Sequence, residues 1–313
     1  MQTTAVVFKE PQALDLEQLE LCDPGAMDVV VDIDWSGIST GTERLLFTGR
    51  MPPFPGMGYP LVPGYEAIGR VVDAGPEARH QVGETVFVPG ARCFKAAHGL
   101  FGGSASRVVV PGNRLVPVEA DLGGDAVLLA LAATAYHAMA ANGARRPDLI
   151  VGHGVLGRLL ARLALLDDEP APTVWETNPV RSTDADGYSV IHPDEDERRD
   201  YQAIYDVSGD STLLNTLIGR LGFGGEITLA GFYAEPLSFA FPMAFMREAR
   251  LRVAAEWQQD DMRAVKMLIE LGRLSLNGLI SHCLPASQAD GAYRTAFDDP
   301  SCLKMILDWR GCA

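Results

Sequence analysis

The stretch Asp148-Leu149-Ile150-Val151-Gly152-His153-Gly154-Val155-Leu156-Gly157 decides the predicted fold of this chain. An apolar run typical of a buried strand leads into Gly-x-Gly-x-x-Gly, and the segment after it has helical spacing. Gly152 permits a tight turn, Gly154 lets the backbone approach a pyrophosphate, and Gly157 lets the helix pack close to the strand. The positive N-terminal end of that helix favours phosphate groups. The stretch therefore predicts a dinucleotide-binding turn that includes His153, Val155 and Leu156.

A β-rich unit is predicted ahead of this turn. Residues 1–118 are rich in Gly, Pro and short strand-like runs bounded by turn residues. The expected strands are Thr4–Phe8, Val29–Ile33, Ala67–Val72, Thr85–Val88 and Ser106–Val110. Residues 121–141 then show Ala and Leu at helical spacing, which predicts a helix that bridges two units.

Residues 148–255 alternate strand-like and helix-like segments. The expected strands are Asp148–Val151, Thr173–Glu176, Tyr188–Ile191, Ala203–Val207, Glu226–Ala230 and Leu251–Ala255. Such an alternation predicts a doubly wound α/β fold with a six-stranded parallel sheet. We place this dinucleotide-binding domain at 121–255 and the β-rich domain at 1–120, completed by 256–313, where a helix is expected over Met262–Leu274.

The composition limits the possible partners. The chain has 313 residues, of which 47% are hydrophobic and 21% charged, as in an ordinary protein of two domains. Its formal net charge of −15 argues against a nucleic-acid partner, because binding to phosphates depends on Lys and Arg. We see no signal peptide and no uninterrupted apolar stretch near the roughly 20 residues that span a bilayer. A cytoplasmic protein that is not an integral membrane protein is expected.

Residues that follow the later strands extend the predicted nucleotide site. Glu176 closes the second strand about 20 residues after the turn, where a carboxylate hydrogen-bonds the adenosine ribose. A carboxylate repels a 2′-phosphate, so we expect NAD rather than NADP, although Arg181 lies where an arginine can bind that phosphate. Arg158 is expected to assist a phosphate. The ribose and nicotinamide are expected beside Ser208, Gly231 and Phe232, at the ends of the fourth and fifth strands.

Motifs spread over the chain resemble the medium-chain dehydrogenase/reductase superfamily. They are Gly64-Tyr65-Glu66, Gly69-Arg70-Val71, the run from Gly102 to Pro111, and Thr134-Ala135-Tyr136. The resemblance implies a GroES-like catalytic domain with a Rossmann domain inserted in it, and we count Thr134 with the cofactor site. Many members are dimers or tetramers, so a homo-oligomer is expected.

The chain departs from the zinc-dependent members of that superfamily. Gly37-Ile38-Ser39 and Gly64-Tyr65-Glu66 stand where those members have Gly-Ile-Cys and Gly-His-Glu, so a cysteine and a histidine ligand are missing. The five cysteines form no Cys-x-x-Cys pair, although a catalytic zinc needs three protein ligands and a structural zinc four. We therefore expect no metal. The alternative is a rebuilt site that uses Glu66, Cys93 or His98.

Three regions resemble a branch of the superfamily that acts on tetrapyrroles. They are 36–49, 51–65, and 88–94 together with 99–103. That branch oxidises the 3-(1-hydroxyethyl) group of a bacteriochlorophyllide to 3-acetyl in bacteriochlorophyll synthesis, which implies a bacteriochlorophyllide-type substrate here. Phe54, Met57 and Tyr59 either pave an apolar face for the flat macrocycle or fill a small core of their own loop.

Without zinc, side chains must bind the substrate oxygen and accept its proton. The resemblance places Ser39, Thr42, Glu43, Tyr65 and Glu66 on the active-site floor. Our hypothesis is that Ser39 or Tyr65 hydrogen-bonds the substrate oxygen, while Glu43 or His137 relays the proton; His137 is alternatively a packed helix residue. The competing functions are a zinc-independent NADPH-dependent quinone or enoyl reductase, and a non-catalytic protein that binds the nucleotide or the tetrapyrrole.

Overall fold

The chain forms two units in the computed structural model, which describes residues 1–53, 55–167 and 169–312. Unit 1 consists of Met1–Ala130 and Asn277–Ala313, and unit 2 of Leu131–Leu276. The chain therefore begins in unit 1, builds unit 2 and then returns to unit 1.

The first part of unit 1 is made mostly of strands. The elements are β1 (Gln2–Glu10), β2 (Ala13–Glu20), β3 (Asp28–Ile38), α1 (Thr42–Phe47), β4 (Ala67–Ala74), β5 (Thr85–Val88), β6 (Arg107–Pro111) and β7 (Val116–Pro117). Segments of 3-10 helix follow at Gly112–Arg114 and Ala120–Leu128. The strands predicted from the sequence all lie within or next to β1, β3, β4, β5 and β6.

Strands and helices alternate in unit 2. The elements are α2 (Leu129–Ala140), β8 (Leu149–Val151), α3 (Val155–Ala164), β9 (Thr173–Trp175), β10 (Ser189–Ile191), β11 (Tyr201–Asp206), α4 (Leu214–Arg220), β12 (Leu221–Leu229), α5 (Phe241–Met246), β13 (Arg250–Val253) and α6 (Gln259–Glu270). The returning segment adds β14 (His282–Pro285), α7 (Ala289–Asp298) and β15 (Met305–Asp308) to unit 1. Short 3-10 segments lie at Pro179–Arg181, Pro193–Glu195 and Ala286–Gln288.

The described part of unit 2 contains a six-stranded sheet in the order β10-β9-β8-β11-β12-β13. All of its pairings are parallel. The three residues of β8 are fully or almost fully buried, as a strand covered on both faces requires. Later strands lie on opposite sides of β8, which makes its carboxyl end the switch point where such sheets bind ligands. The predicted doubly wound α/β fold is confirmed.

The sheet of unit 1 brings the C-terminal segment next to β3. Its order is β14-β15-β3-β4-β5-β7, with β6 also paired to β3. β15 runs antiparallel to the last residues of β3, so that Met305 pairs with Ile38 and Asp308 with Trp35. This pairing places the residues around 304 beside the chain just ahead of Ser39.

One apolar face of α7 packs on the core of unit 1. The buried residues are Ala289, Ala292, Tyr293, Ala296 and Phe297, which recur at helical spacing. The ring of Tyr293 contacts Phe8 edge to face at 5.3 Å between centroids and Phe297 at 5.6 Å. Pairs of this kind stabilise a core by about 0.5–1.5 kcal/mol each. The position of Tyr293 is therefore fixed by packing.

The boundaries between the units correct the predicted division into 1–120 with 256–313 and 121–255. Residues 121–130 belong to unit 1, because the Ala120–Leu128 segment packs on β3, β4 and β5. Residues 256–276 belong to unit 2, where Asp261 of α6 contacts His137 of α2. The expected bridging helix is thus a 3-10 segment, with Gly123 at a φ of +50°, followed by α2.

The sequence patterns missed β7, β14, β15 and the longer strand β2. Leu14 and Leu16 alternate with polar residues, but the next leucine is Leu19, so the period of two breaks. β2 pairs with β1 as an antiparallel ribbon, and most of its residues remain at least partly exposed. A strand with so little burial leaves a weak apolar signal.

One described segment, Ala120–Ala140, is long and apolar enough to cross a membrane by length and composition alone. Half of its most apolar window, 50%, is buried inside the protein. Buried core helices pass the same test of length and composition, so this is weak evidence for a membrane span.

Replacing Gly157 by alanine is expected to destabilise unit 2. A Cβ there would lie 1.9 Å from the Gly152 carbonyl oxygen, and overpacking of this kind costs about 1–3 kcal/mol. Gly291→Ala in α7 is the matched control, because nothing lies within 4 Å of its added Cβ. That control should be neutral or stabilising by up to about 1 kcal/mol. Urea denaturation measures both variants, and equal free energies of unfolding would contradict the close helix–turn contact.

Candidate functional site

The glycine turn joins the carboxyl end of β8 to α3. Gly152 has a φ of +106°, in the left-handed region that favours glycine. A Cβ on Gly157 would collide with the turn, whereas nothing lies within 4 Å of one on Gly154. The next two residues, Val155 and Leu156, are buried and half-buried in the first turn of α3. The open space beside Gly154 and the adjacent helix N-terminus fit an approaching pyrophosphate.

The imidazole of His153, a predicted cofactor contact, is buried inside unit 2. Its Nδ1 lies 2.5 Å from the Arg181 carbonyl oxygen, and its Nε2 lies 2.7 Å from the Tyr188 hydroxyl. Burial lowers the pKa of His153, so the neutral ring can donate to the carbonyl and accept from the phenol. The side chain therefore ties the turn to the segment 181–188.

The guanidinium of Arg158 binds backbone carbonyls, which corrects the expectation that it assists a phosphate. Its Nε donates to the His153 carbonyl at 3.2 Å, and one terminal nitrogen donates to those of Arg181 and Thr183 at 3.1 Å each. Arg158 is 4% exposed. Its donors hold the 181–184 segment against the turn.

Glu176 is held beside the turn by backbone N–H groups. Its Oε1 accepts from the N–H groups of Thr177 and Asn178 at 2.8 Å each, and Oε2 accepts from that of His153 at 3.1 Å. An ionised carboxylate has about four acceptor sites, so capacity remains for a hydroxyl. The half-buried side chain is therefore pre-oriented next to the glycine turn.

The ends of β11 and β12 meet the same turn. The backbone of Ser208 lies 3.5 Å from where a Cβ on Gly152 would be. Asp206 organises this edge: its Oδ1 accepts the N–H and hydroxyl of Ser208 at 2.9 and 2.6 Å, and its carbonyl accepts the Gly231 N–H at 3.0 Å. Phe232, the next residue, is 45% exposed. Ser208 and Gly231 thus lie together at the predicted edge, around an aspartate that sequence reasoning did not select.

A pair of hydroxyl groups lies in unit 1 at the two positions that depart from the zinc motifs. The Tyr65 hydroxyl donates to Oγ of Ser39 at 2.7 Å. Ser39 is 8% exposed and Tyr65 is half-buried, with the Thr42 side chain within hydrogen-bonding reach of Tyr65. Burial raises the pKa of Tyr65 well above its ordinary value, so the phenol stays protonated and donates. The hydrogen of Ser39 is left to donate elsewhere.

Glu43, at the start of α1, is fully buried and holds the backbone of Ser39. Its Oε1 accepts the Ser39 N–H at 3.3 Å, and its Oε2 accepts the Tyr293 hydroxyl at 2.8 Å. The Tyr293 hydroxyl also lies 3.5 Å from Oγ of Ser104. Burial raises the pKa of Glu43 to about 8, and the charge of Glu66 acts in the same direction.

Glu66 and Lys304 form an ion pair inside unit 1, with side chains 0% and 2% exposed. The ammonium contacts Oε2, whereas Oε1 has no hydrogen-bond partner among the described residues. A Cβ on Gly37 would lie 2.5 Å from Glu66 Oε2 and 3.0 Å from Lys304 Cε, so glycine at 37 makes room for the pair. Glu66 is therefore not exposed to a substrate, which corrects its place on the active-site floor.

His137 lies on α2 in unit 2 and is paired with an aspartate. Its Nδ1 lies 2.8 Å from Oδ2 of Asp261, and the imidazole side chain is 24% exposed. Asp261 also caps α6 by accepting the N–H of Gln258 at 2.8 Å. A histidine oriented by a carboxylate is the usual arrangement of a general base. Thr134 is half-buried one turn earlier on the same helix.

The residues of unit 1 do not fit a zinc ion. Glu66 is taken by Lys304, Oγ of Ser39 accepts from Tyr65, and His98 is exposed. Burial raises the pKa of Cys93 to about 11, which opposes the thiolate form that binds metals. Within residues 1–53, 55–167 and 169–312, no group of three His, Cys, Asp or Glu side chains could hold a metal ion.

The apolar residues of the 51–65 loop pack inward where the structure describes them. Met57 and Tyr59 are half-buried against the core of unit 1, and the Tyr59 hydroxyl donates to the Leu46 carbonyl. Phe54 lies outside the described residues. A large part of the Met57 and Tyr59 side chains therefore packs on the core of unit 1, as the second of the two interpretations expects.

The residues that sequence reasoning missed come from distant parts of the chain. Tyr293 and Lys304 lie 250 and 238 positions from the carboxylates that they contact. The one local signal for Lys304 is a charged residue directly before the apolar strand β15. The local signal for Asp261 is the capping box that it forms with Gln258 at the start of α6.

Comparison with known proteins identifies relatives over the whole chain. Residues 25–120 match the family model of the alcohol dehydrogenase GroES-like domain. The chain is 56% identical to the 2-desacetyl-2-hydroxyethyl bacteriochlorophyllide A dehydrogenase of Cereibacter sphaeroides, with 100% of both chains covered. It is 57% identical to the enzyme of the same name from Rhodobacter capsulatus, with 99% of both covered.

Solved structures share the fold at low sequence identity. A structure from Sinorhizobium meliloti bound to NADP has a TM-score of 0.81 and 17% identity, covering 98% of this chain and 99% of that one. An alcohol dehydrogenase from Escherichia coli complexed with NADH has a TM-score of 0.83 and 19% identity, with the same coverage. Together with the family match, these likenesses confirm a GroES-like domain with a Rossmann domain.

The pH dependence of stability is expected to change when Glu43 is replaced by Gln. Its pKa is about 8 in the folded chain against an ordinary 4.5. The folded state therefore holds the extra proton between these values, and its stability falls as the pH rises from 4.5 through 8. Each unit of difference between the two pKa values changes the free energy of unfolding by about 1.4 kcal/mol. Glu43→Gln should flatten this part of the profile.

Thermal melting across this pH range measures the effect. The exposed Glu10→Gln on β1 serves as the control and should keep the wild-type profile. A Glu43→Gln profile as steep as that of the wild type would contradict a buried, protonated Glu43.

Proposed function

Because the chain belongs to the medium-chain dehydrogenase/reductase superfamily, in the group of the bacteriochlorophyllide a dehydrogenases, we propose that it oxidises the 3-(1-hydroxyethyl) group of a bacteriochlorophyllide to 3-acetyl. The proposed hydride acceptor is NAD. The observation that carries the proposal is the Ser39–Tyr65 hydroxyl pair, in a chain that matches relatives of that name over its full length.

Ser39 binds the substrate oxygen in this proposal. Its Oγ accepts from Tyr65, which leaves its own hydrogen to donate to the oxygen that loses a proton and becomes a carbonyl. Negative charge develops on that oxygen during oxidation, and a fixed donor aimed at it stabilises the transition state. Tyr65 stays protonated because of its raised pKa, so it orients Ser39 and does not act as the base.

The proton acceptor that we propose is His137. Glu43 was the other candidate, but its two carboxyl oxygens are engaged by the Ser39 N–H and the Tyr293 hydroxyl. The Nδ1 of His137 is oriented by Asp261, which leaves the other ring nitrogen to receive a proton. The carboxylate stabilises the imidazolium that results.

The dinucleotide is held by the edge of the unit 2 sheet. The glycine turn offers backbone N–H groups and open space to the pyrophosphate, and Ser208 and Gly231 lie at the neighbouring strand ends. Glu176 has acceptor capacity for a ribose hydroxyl and would repel a 2′-phosphate, which favours NAD over NADP. When bound, NAD accepts the hydride of the carbinol carbon.

No metal enters this proposal. Near the two segments that differ from the zinc-binding motifs, the buried cation is the ammonium of Lys304, which is paired with Glu66. A hydroxyl donor and a carboxylate-oriented histidine supply the polarisation and the proton transfer that zinc supplies in other members.

A homo-oligomer formed through the edge of unit 2 is also proposed. β13 ends the six-stranded sheet, and its Leu251 and Val253 are 41% and 76% exposed. Phe241 and Phe245 of the neighbouring α5 segment are 66% and 67% exposed. An exposed edge strand with apolar side chains favours pairing with a second copy, which sedimentation of the purified chain measures.

The proposed reaction is tested by incubating the protein with the hydroxyethyl bacteriochlorophyllide and either NAD or NADP. The expected result is the acetyl product, seen by its absorption, with one NADH formed per product and a higher kcat/KM for NAD. Reduction of quinones or enoyl compounds with NADPH in place of this oxidation would point to the reductase. Tight pigment binding without NADH would point to a non-catalytic carrier.

The proposed roles predict the effect of two substitutions on kcat. Ser39→Ala removes the donor to the developing charge and should lower kcat by about 10²-fold to 10³-fold. His137→Gln removes the base and should lower it by about 10²-fold to 10⁴-fold. Ser301→Ala and His192→Gln, at exposed positions, are the matched controls and should keep wild-type turnover. Wild-type turnover in either test variant would refute the role of that residue.

A further inference from the structure

We infer that the returning C-terminal segment supplies two positioning residues, Tyr293 and Lys304, for the Ser39–Tyr65 hydroxyl pair. The inference rests on the proposed function, in which this pair binds the substrate oxygen. Each positioning residue acts through a buried carboxylate: Tyr293 through Glu43, and Lys304 through Glu66.

Tyr293 holds the backbone of Ser39 by way of Glu43. Ser39 comes directly after β3 and ahead of α1, where no strand partner continues the ladder. Its N–H donates to Glu43 Oε1, and the other oxygen of Glu43 accepts from Tyr293. Because the ring of Tyr293 is packed between aromatic residues of the core, its hydroxyl is a rigid donor. Loss of that hydroxyl frees the Glu43 carboxyl to rotate, and Ser39 with it.

Lys304 holds the backbone of Tyr65 by way of Glu66. These two residues are neighbours in the chain and directly precede β4, so a contact that fixes Glu66 also restrains the backbone of Tyr65. Tyr65 donates to Ser39, the Glu66 side chain pairs with Lys304, and the Glu66 carbonyl accepts the Gly37 N–H at 2.7 Å. Since Glu66 Oε1 has no other partner among the described residues, the ammonium is what orients this carboxylate.

Lys304 is itself fixed by strands of the returning segment. Its carbonyl accepts the N–H groups of Ser281 and His282 at 3.0 Å each, and the next residue begins β15. β15 pairs with the last residues of β3, directly before Ser39. The Lys304 contact therefore depends on this antiparallel pairing, whereas Tyr293 is held by the packing of α7 on the core of unit 1.

The two arms also share an electrostatic environment. Around Glu43, the ionisable groups are Glu66, Lys304 and Tyr293, and the charge of Glu66 raises the pKa of Glu43 while Lys304 and the Tyr293 hydrogen bond lower it. Tyr65 lies in the field of both carboxylates. A change at either positioning residue therefore alters the electrostatic environment of Glu43.

Tyr293→Phe tests the first arm, with Tyr201→Phe as its matched control. Tyr201 likewise donates from a buried phenol to a buried carboxylate, Asp196 at 2.7 Å, but lies in unit 2. Misplacement of a reacting group by about 1 Å can cost 10²-fold, so kcat of Tyr293→Phe should fall by at least about tenfold, with KM for NAD unchanged. Tyr201→Phe should keep wild-type kcat.

A second background shows whether Tyr293 acts through Ser39. In Ser39→Ala protein, the further change Tyr293→Phe should alter kcat by less than about twofold, because the group to be positioned is gone. An undiminished loss in that background, or wild-type kcat in Tyr293→Phe alone, would overturn the first arm.

The double variant Lys304→Met with Glu66→Gln tests the second arm. Lys304→Met alone would leave a buried carboxylate without its cation and is expected to unfold unit 1. The double variant removes both charges of the buried pair, so it should fold and bind NAD. Its kcat should fall by at least about tenfold, because the orienting ion pair is lost. Wild-type kcat in the folded double variant would overturn the second arm.

An infrared titration separates this inference from the proposed reaction. The Glu43 carboxyl band is identified by its absence in Glu43→Gln, and no substrate is needed. In Tyr293→Phe the band should titrate at a higher pH than in the wild type, because a hydrogen bond to the ionised form is lost; in Tyr201→Phe it should not move. If the wild type fails to oxidise the bacteriochlorophyllide, the proposed reaction falls, and an unmoved band in Tyr293→Phe would overturn the positioning by Tyr293.

Discussion

The burial of two acidic side chains, Glu43 and Glu66, is the constraint on which unit 1 depends. A buried carboxylate costs several kcal/mol unless a cation and donors compensate it, and otherwise the buried group takes up a proton, as the raised pKa of Glu43 indicates. The compensating groups, Tyr293 and Lys304, come from the segment that follows unit 2 in the chain. The chain therefore has to return to unit 1 for chemical as well as packing reasons. The residues that need this compensation are neighbours of the hydroxyl pair.

In unit 2 the buried polar groups support the glycine turn from behind, and open space remains beside Gly154. Arg158 and His153 form hydrogen bonds with backbone carbonyls and with a tyrosine behind the glycine turn. What remains for a dinucleotide is backbone N–H, the open space at Gly154 and the carboxylate of Glu176. A charged side chain near a phosphate-binding turn need not bind the phosphate. Here the arginine shapes the turn instead.

Much of the fold could be predicted from the sequence, because its signals are local. The buried strands of unit 2 carry continuous apolar runs, and Gly152, Gly154 and Gly157 have roles that follow from backbone geometry. The strand β2 and the irregular start of the bridging segment could not be predicted, since one has a broken alternation and the other is bent at Gly123. The candidate site was found in part for the same reason. Ser39 and Tyr65 stand out as departures from a motif, whereas Tyr293, Lys304 and Asp261 are linked to the site by pairings that no local spacing encodes.

In the proposed reaction, a pair of hydroxyl groups supported by an internal ion pair takes the place of a metal. The measurement that tests it most directly is elemental analysis and turnover of the hydroxyethyl bacteriochlorophyllide on the same purified sample, before and after treatment with a chelator. We predict turnover at a zinc content far below one per chain, unchanged by the chelator. Zinc near one per chain that is lost together with turnover would contradict the claim.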